Sequence, residues 1–145
     1  MIALWIIIAA VMFGLYNVFI KLSADHINPI LGAVVLQFVA AFIGLGLLLA
    51  SQAQSDSPLI WSGRGLLLAT LAGVAIGLVE ILAFFIYGRG VLVAVGNPLI
   101  VGGSLIVTTA IGVFLLRETI NLAQAAAILL ITGGVLLLAL TAART

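Results

Sequence analysis

Glu80 is the residue whose type and position most clearly invite chemistry. It lies well inside an apolar stretch, GLLLATLAGVAIGLVEILAFFIYGRG, residues 65–90. Placing an acid at the centre of a bilayer span costs on the order of 2.5–3.5 kcal/mol on insertion scales, so such a residue implies a function or a dedicated partner. A carboxyl withdrawn from water can take up and release a proton, which is the chemistry of a relay or of an ion-coupled carrier. At about 100° per residue, Thr70, Gly73, Gly77, Glu80, Phe84 and Tyr87 share one face of a helix. Gly73 and Gly77 form a G-x-x-x-G pair that admits a close neighbouring helix. This face is expected to meet protein or a wet cavity rather than lipid.

Few other residues could join Glu80. Asn17 stands near the end of the first apolar run, and Gln37 is the one strongly polar residue of the second, on a face with Ala33, Ala41 and Gly44. In the fourth run Asn97, Ser104, Thr108 and Gly112 share a face, interrupted by Pro98 and by the helix-packing pair Gly102-Gly103. Proline inside a span frees a backbone carbonyl that protein or water must satisfy, so this face suits either tight packing or a substrate path. Asn17 and Gln37 are open to the same two readings: an interhelical hydrogen bond, worth about 0.6 kcal/mol on average in membranes, or contact with substrate. His26, in the first loop, reads as a solvated side chain, and Asp56, in the longest loop, likewise.

Composition excludes several classes of function. Only 6% of the 145 residues are charged and 66% are apolar, against about 25% and 45–50% in soluble domains. The mean hydropathy is +1.50. The chain reads as an integral membrane protein. A formal net charge of +1 offers no basic field for nucleic acid. With no cysteine, one histidine and scattered acids, neither a metal site nor a nucleophile–base pair can be assembled, and no phosphate-binding glycine loop is present. No cofactor and no enzyme activity are expected.

Five runs position these residues: about 2–22, 30–50, 65–88, 91–116 and 120–141, forming one all-α transmembrane domain. The first lacks the basic start and the cleavage site of a signal peptide and reads as a permanent span. Trp5, Lys21, Trp61, Arg64 and Arg89 stand near run ends as interfacial anchors. Glu118, after Arg117, opens or precedes the last helix, where a carboxylate favours the macrodipole. Five spans put the termini on opposite sides. One side then carries Arg64 and Arg117, the other Lys21, Arg89 and Arg144. Orientation follows Lys/Arg bias, and here the bias is nearly nil. The chain is therefore expected to insert both ways and pair antiparallel, reproducing with two copies the inverted repeat of many secondary transporters. A fixed orientation is the alternative.

Two segments carry a resemblance. GLYNVFIKLSADHINP, residues 14–29, resembles the opening of the EamA-type repeat of the drug/metabolite transporter superfamily. SLIVTTAIGVFLLRETINLAQAAAILLITGGVLLL, residues 104–138, resembles its last two helices, with an acid in the turn (Glu118) and then Gln124 and Gly134-Val135. The resemblance implies a single five-helix half of an inverted-repeat transporter fold, working by alternating access on amino acids, other metabolites or related small solutes. Three positions depart from the usual pattern: Arg117 where glycine commonly precedes the turn acid, Leu105 where a proline is common, and Gln37 where arginine often stands. The acid that the small multidrug resistance branch carries in its first helix has no counterpart in this first helix.

The expected function is secondary transport or export of small organic solutes in a prokaryotic inner membrane, by an antiparallel homodimer. Glu80 supplies a proton-exchanging acid in a cavity lined by Asn17, Gln37, Tyr87, Asn97, Ser104 and Thr108. The alternatives are a non-transporting membrane subunit, or one half of a heterodimer with a paralogous five-span protein.

Overall fold

In a computed structural model of the chain, residues 1–54 and 58–142 are described; Asp56 and Arg144 lie outside them. Helices form because every apolar run must satisfy its backbone polar groups within itself. Five of them are long and apolar enough to cross a membrane, and no strand occurs among the described residues. They divide into two compact units, residues 1–90 and the part that begins at Val91.

The first unit holds α1 (Ile2–Ala24), α2 (Pro29–Ala53) and α3 (Gly63–Gly88). Local chemistry marks their ends. Asn28 caps α2, its side chain accepting from Ile30 N–H at 3.0 Å and Leu31 N–H at 3.3 Å, and Pro29 occupies the first turn, where no donor is needed. Ser62 caps α3 through Gly65 N–H at 3.0 Å. Arg89 closes α3, and Gly90 follows at φ 90°, a conformation that glycine adopts without strain. α3 packs on both α1 and α2. Its buried residues, Glu80, Ala83, Phe84 and Tyr87, form the 3–4 spacing of one stripe. Against them lie Asn17, Ile20 and Ala24 of α1 and Gly32 and Ala33 of α2, also buried. Gly32 is required by close approach: a Cβ there would stand 2.6 Å from the ring of Phe84.

The second unit holds α4 (Val93–Ala110), which continues as a π-helical turn (Ile111–Leu115), and α5 (Leu122–Ala142). Pro98 stands inside α4. α4 packs on α5 with Val135 against Gly102, where a Cβ would lie 2.7 Å from Val135 Cγ1. The widened turn ends on Arg117 at φ 57°, a left-handed conformation that costs a side chain about 1–2 kcal/mol and that glycine would adopt freely. Glu118 then folds back: its N–H donates to Gly112 C=O at 2.9 Å, and its carboxylate covers Gly112. Glu118 thus precedes α5 and serves the end of α4. The start of α5 is held instead by a reciprocal pair, in which Gln124 N–H donates to Asn121 Oδ1 at 2.9 Å and Asn121 N–H to Gln124 Oε1 at 2.8 Å.

Candidate functional site

The interior of the three-helix unit contains the one buried acid among the described residues. Glu80 is 5% exposed. It lies eight residues before the end of α3, about 12 Å along the axis at 1.5 Å per residue. Its Oε2 accepts from Gln37 Nε2 of α2 at 2.7 Å, and the hydroxyl of Tyr16 on α1 is turned toward the same carboxyl. Gln37 can reach it because Gly77, one turn before Glu80, leaves room: a Cβ at Gly77 would lie 3.3 Å from Gln37 Nε2. At Gly73 a Cβ would meet open space.

Two helical turns further along α3, a second polar group joins α1 to α3. Tyr87 is fully buried, and its hydroxyl donates to Asn17 Oδ1 at 3.4 Å. Asn17 donates in turn to Phe13 C=O at 2.9 Å. Lys21, one turn beyond Asn17, donates through Nζ to Tyr87 C=O at 2.7 Å. A cation at the C-terminal end of a helix is favoured by its dipole.

A cleft of about 480 Å³ reaches Tyr16 but not Glu80 itself, and is lined by Tyr16, Phe19, Ile20, Ser23, Leu36 and Phe84 among others. Ser23 spends its hydroxyl on Ile20 C=O, so Tyr16 is the polar side chain shared between the cleft and the acid.

The partners of Glu80 share a property. Gln37 and Tyr16 are neutral, and each can both donate and accept. They can hydrogen-bond to a carboxylate, and they can equally accept from a protonated carboxyl. No cation lies within ion-pair distance of Glu80 among the described residues, so no fixed charge holds it in the ionised form.

The remaining polar residues of the sequence analysis lie on α4. Ser104 and Thr108 turn their hydroxyls onto their own helix, Ser104 to Val101 C=O at 2.8 Å and Thr108 to Ser104 C=O at 2.9 Å. Asn97 Oδ1 is buried without a hydrogen-bond partner among the described residues. At Gly103 a Cβ would meet open space. Sequence reasoning left Tyr16 and Lys21 out of the candidate set. The spacing that could have found Lys21 is its position four residues after Asn17, hence on the same face; Tyr16 adjoins Asn17, within about 100° of it on the helix.

A family model, that of the EamA-like transporter family, matches residues 1–140. No curated protein and no solved structure matches the chain.

Proposed function

The chain belongs to the EamA-like transporter family, which makes it an integral, multi-pass membrane protein, and from that premise we propose that it exchanges protons for small organic solutes through Glu80. The family is one of transporters rather than enzymes, so transport of small solutes is the coarse function. The finer reading has the chain export amino acids or other metabolites from a prokaryotic cell across the inner membrane. It works by alternating access, as an antiparallel homodimer of dual topology.

The observation that carries proton exchange is the neutral, two-way hydrogen bonding around a buried acid. Gln37 and Tyr16 support Glu80 in either protonation state, whereas a cation at position 37 would hold it charged. The cleft lined by Tyr16 gives a solute a place one side chain away from the titrating group. The dimer reading rests on the near-equal basic charge of the two loop sets.

Two measurements test the proposal. In proteoliposomes under an imposed pH gradient, exchange of a metabolite mixture is followed by mass spectrometry. Glu80→Gln and Gln37→Arg are each expected to lose gradient-driven flux by about tenfold or more, the scale of a lost proton-transfer group. Gradient-driven flux unchanged in Glu80→Gln overturns the coupling role. Because the chain has no native cysteine, single substitutions Asp25→Cys and Pro58→Cys report orientation through an impermeant thiol reagent on intact cells. Partial labelling of both is the dual-topology outcome. Labelling of one alone fixes the orientation, and a paralogous partner then replaces the homodimer.

A further inference from the structure

The end of the three-helix unit where α3 terminates carries a feature that none of the Glu80 partners touches. Asn28, Pro29 and Ile30 at the start of α2 and Ile81, Leu82 and Phe85 of α3 line an apolar cleft of about 380 Å³. Leu82 is 56% and Phe85 45% exposed, so the cleft opens on the surface of the unit. One turn after Phe85, outside the lining itself, stands Arg89, whose guanidinium carbon lies 4.3 Å from the centroid of the Phe85 ring. This stacking fixes the guanidinium over a ring that is itself a wall of the cleft. Among the described residues Arg89 has no ion-pair or side-chain hydrogen-bond partner, so its donors are held in place and left unused. Lys21, the other cation at this end, is already committed to Tyr87 C=O. Asp25, which closes α1 at the same end, makes no ion pair with Arg89. Lys21 and Arg89 against Asp25 leave this end with a net positive charge.

From Ile81 to Arg89 the cleft side of α3 runs about 12 Å at 1.5 Å per residue. It is an apolar slot with a planar cation stacked on one of its walls, on a helix whose end lies where a span meets the headgroup layer. A guanidinium suits phosphate oxygens through paired N–H donors, and a stacked one keeps those edges free. We propose that Arg89 and this cleft form a binding site for one anionic phospholipid, its phosphodiester on Arg89 and the upper part of an acyl chain along Ile81, Leu82 and Phe85. The net positive charge selects an anionic headgroup over a zwitterionic one.

The test is native mass spectrometry of the full chain, released from micelles that contain equal amounts of phosphatidylglycerol and phosphatidylcholine. The wild-type chain is expected to retain one phosphatidylglycerol in preference by about fivefold, the scale of one basic side chain at an anionic surface. Arg89→Ala is expected to abolish the preference. So is Leu82→Trp, which fills the slot and leaves every charge in place; it decides the matter if Arg89→Ala fails to fold. Arg64→Ala, which removes a cation from the opposite end of α3, is expected to keep the preference. Unchanged preference in Leu82→Trp, or equal loss in Arg64→Ala, would overturn the site in favour of diffuse charge attraction. Displacement of the lipid by equimolar glycerol phosphate would overturn it too, because the headgroup alone would then account for binding.

Discussion

In the three-helix unit polar side chains cross from one helix to another: Gln37 of α2 to Glu80 of α3 at 2.7 Å, Tyr87 of α3 to Asn17 of α1 at 3.4 Å, and Lys21 of α1 to the backbone of α3 at 2.7 Å. In the two-helix unit they stay local. Ser104 and Thr108 bond to carbonyls of their own helix, Asn121 and Gln124 serve one helix start, and Glu118 folds back on the turn just before it. The packing of α4 on α5 rests instead on shape, with Val135 seated against Gly102. The difference follows from side-chain reach within the spans, since the long Glu118 and Gln124 of the second unit are exposed at helix ends. Short hydroxyls in a helix find the carbonyl three or four residues back without help. Gln, Glu, Tyr and Lys are long enough to find a partner on another helix, which in an apolar interior is better than leaving them unpaired. The buried titratable side chain, Glu80, therefore lies in the first unit, and the second, whose Glu118 is exposed and closes a turn, is built from steric fit and caps.

The comparison breaks first at its two glycines. Gly102→Ala drives a Cβ into Val135, a rigid β-branched residue, whereas Gly32→Ala meets the far edge of the Phe84 ring, which can turn. Overpacking of this kind costs about 1–3 kcal/mol, with Gly102→Ala at the upper end. Hydrogen exchange on the full chain should show the loss of protection in α4 and α5 for Gly102→Ala, and Val135→Ala should restore it. Equal deprotection of α1 to α3 by that substitution would contradict the division into units.

A smaller effect is expected at the local cap of the second unit. Asn121→Ala removes the Oδ1 that accepts from Gln124 N–H and keeps the backbone N–H that donates to Gln124 Oε1, and cap losses run near 1 kcal/mol. Exchange should rise in the first turn of α5 and nowhere else. Protection unchanged there would mean that the Asn121 side chain contributes nothing to the helix start.

The smallest effect belongs to the long cross-helix bond of the first unit. Tyr87→Phe deletes the 3.4 Å contact with Asn17 and should cost about 0.6 kcal/mol, the average for interhelical hydrogen bonds in membranes. Exchange in α1 and α3 should rise slightly, with no change in gradient-driven flux. A loss of flux as large as that expected for Glu80→Gln would place Tyr87 in the proton path itself.

Much of the architecture is legible in the residues alone. Apolar runs of span length, Pro29 after Asn28, Ser62 ahead of α3 and Gly90 after Arg89 mark helices and their ends through local backbone chemistry. The cap at Asn121 follows an equally local rule, an amide three residues before Gln124, and could have moved the start of α5 to Leu122 and released Glu118 from a role there. Membership in a transporter family was likewise carried by pattern along the chain. What sequence could not supply is the pairing of faces. In a soluble helix the apolar stripe announces the buried side. Here lipid and protein interior are equally apolar, so Leu and Val say nothing about which neighbour they meet. That Gln37 and Tyr16 converge on Glu80, that Phe84 lies on Gly32, and that Arg89 rests on Phe85 were decided by tertiary packing. Small residues that allow close approach and long polar ones that seek a partner set those contacts, across helices that hydrophobicity alone leaves free to rotate.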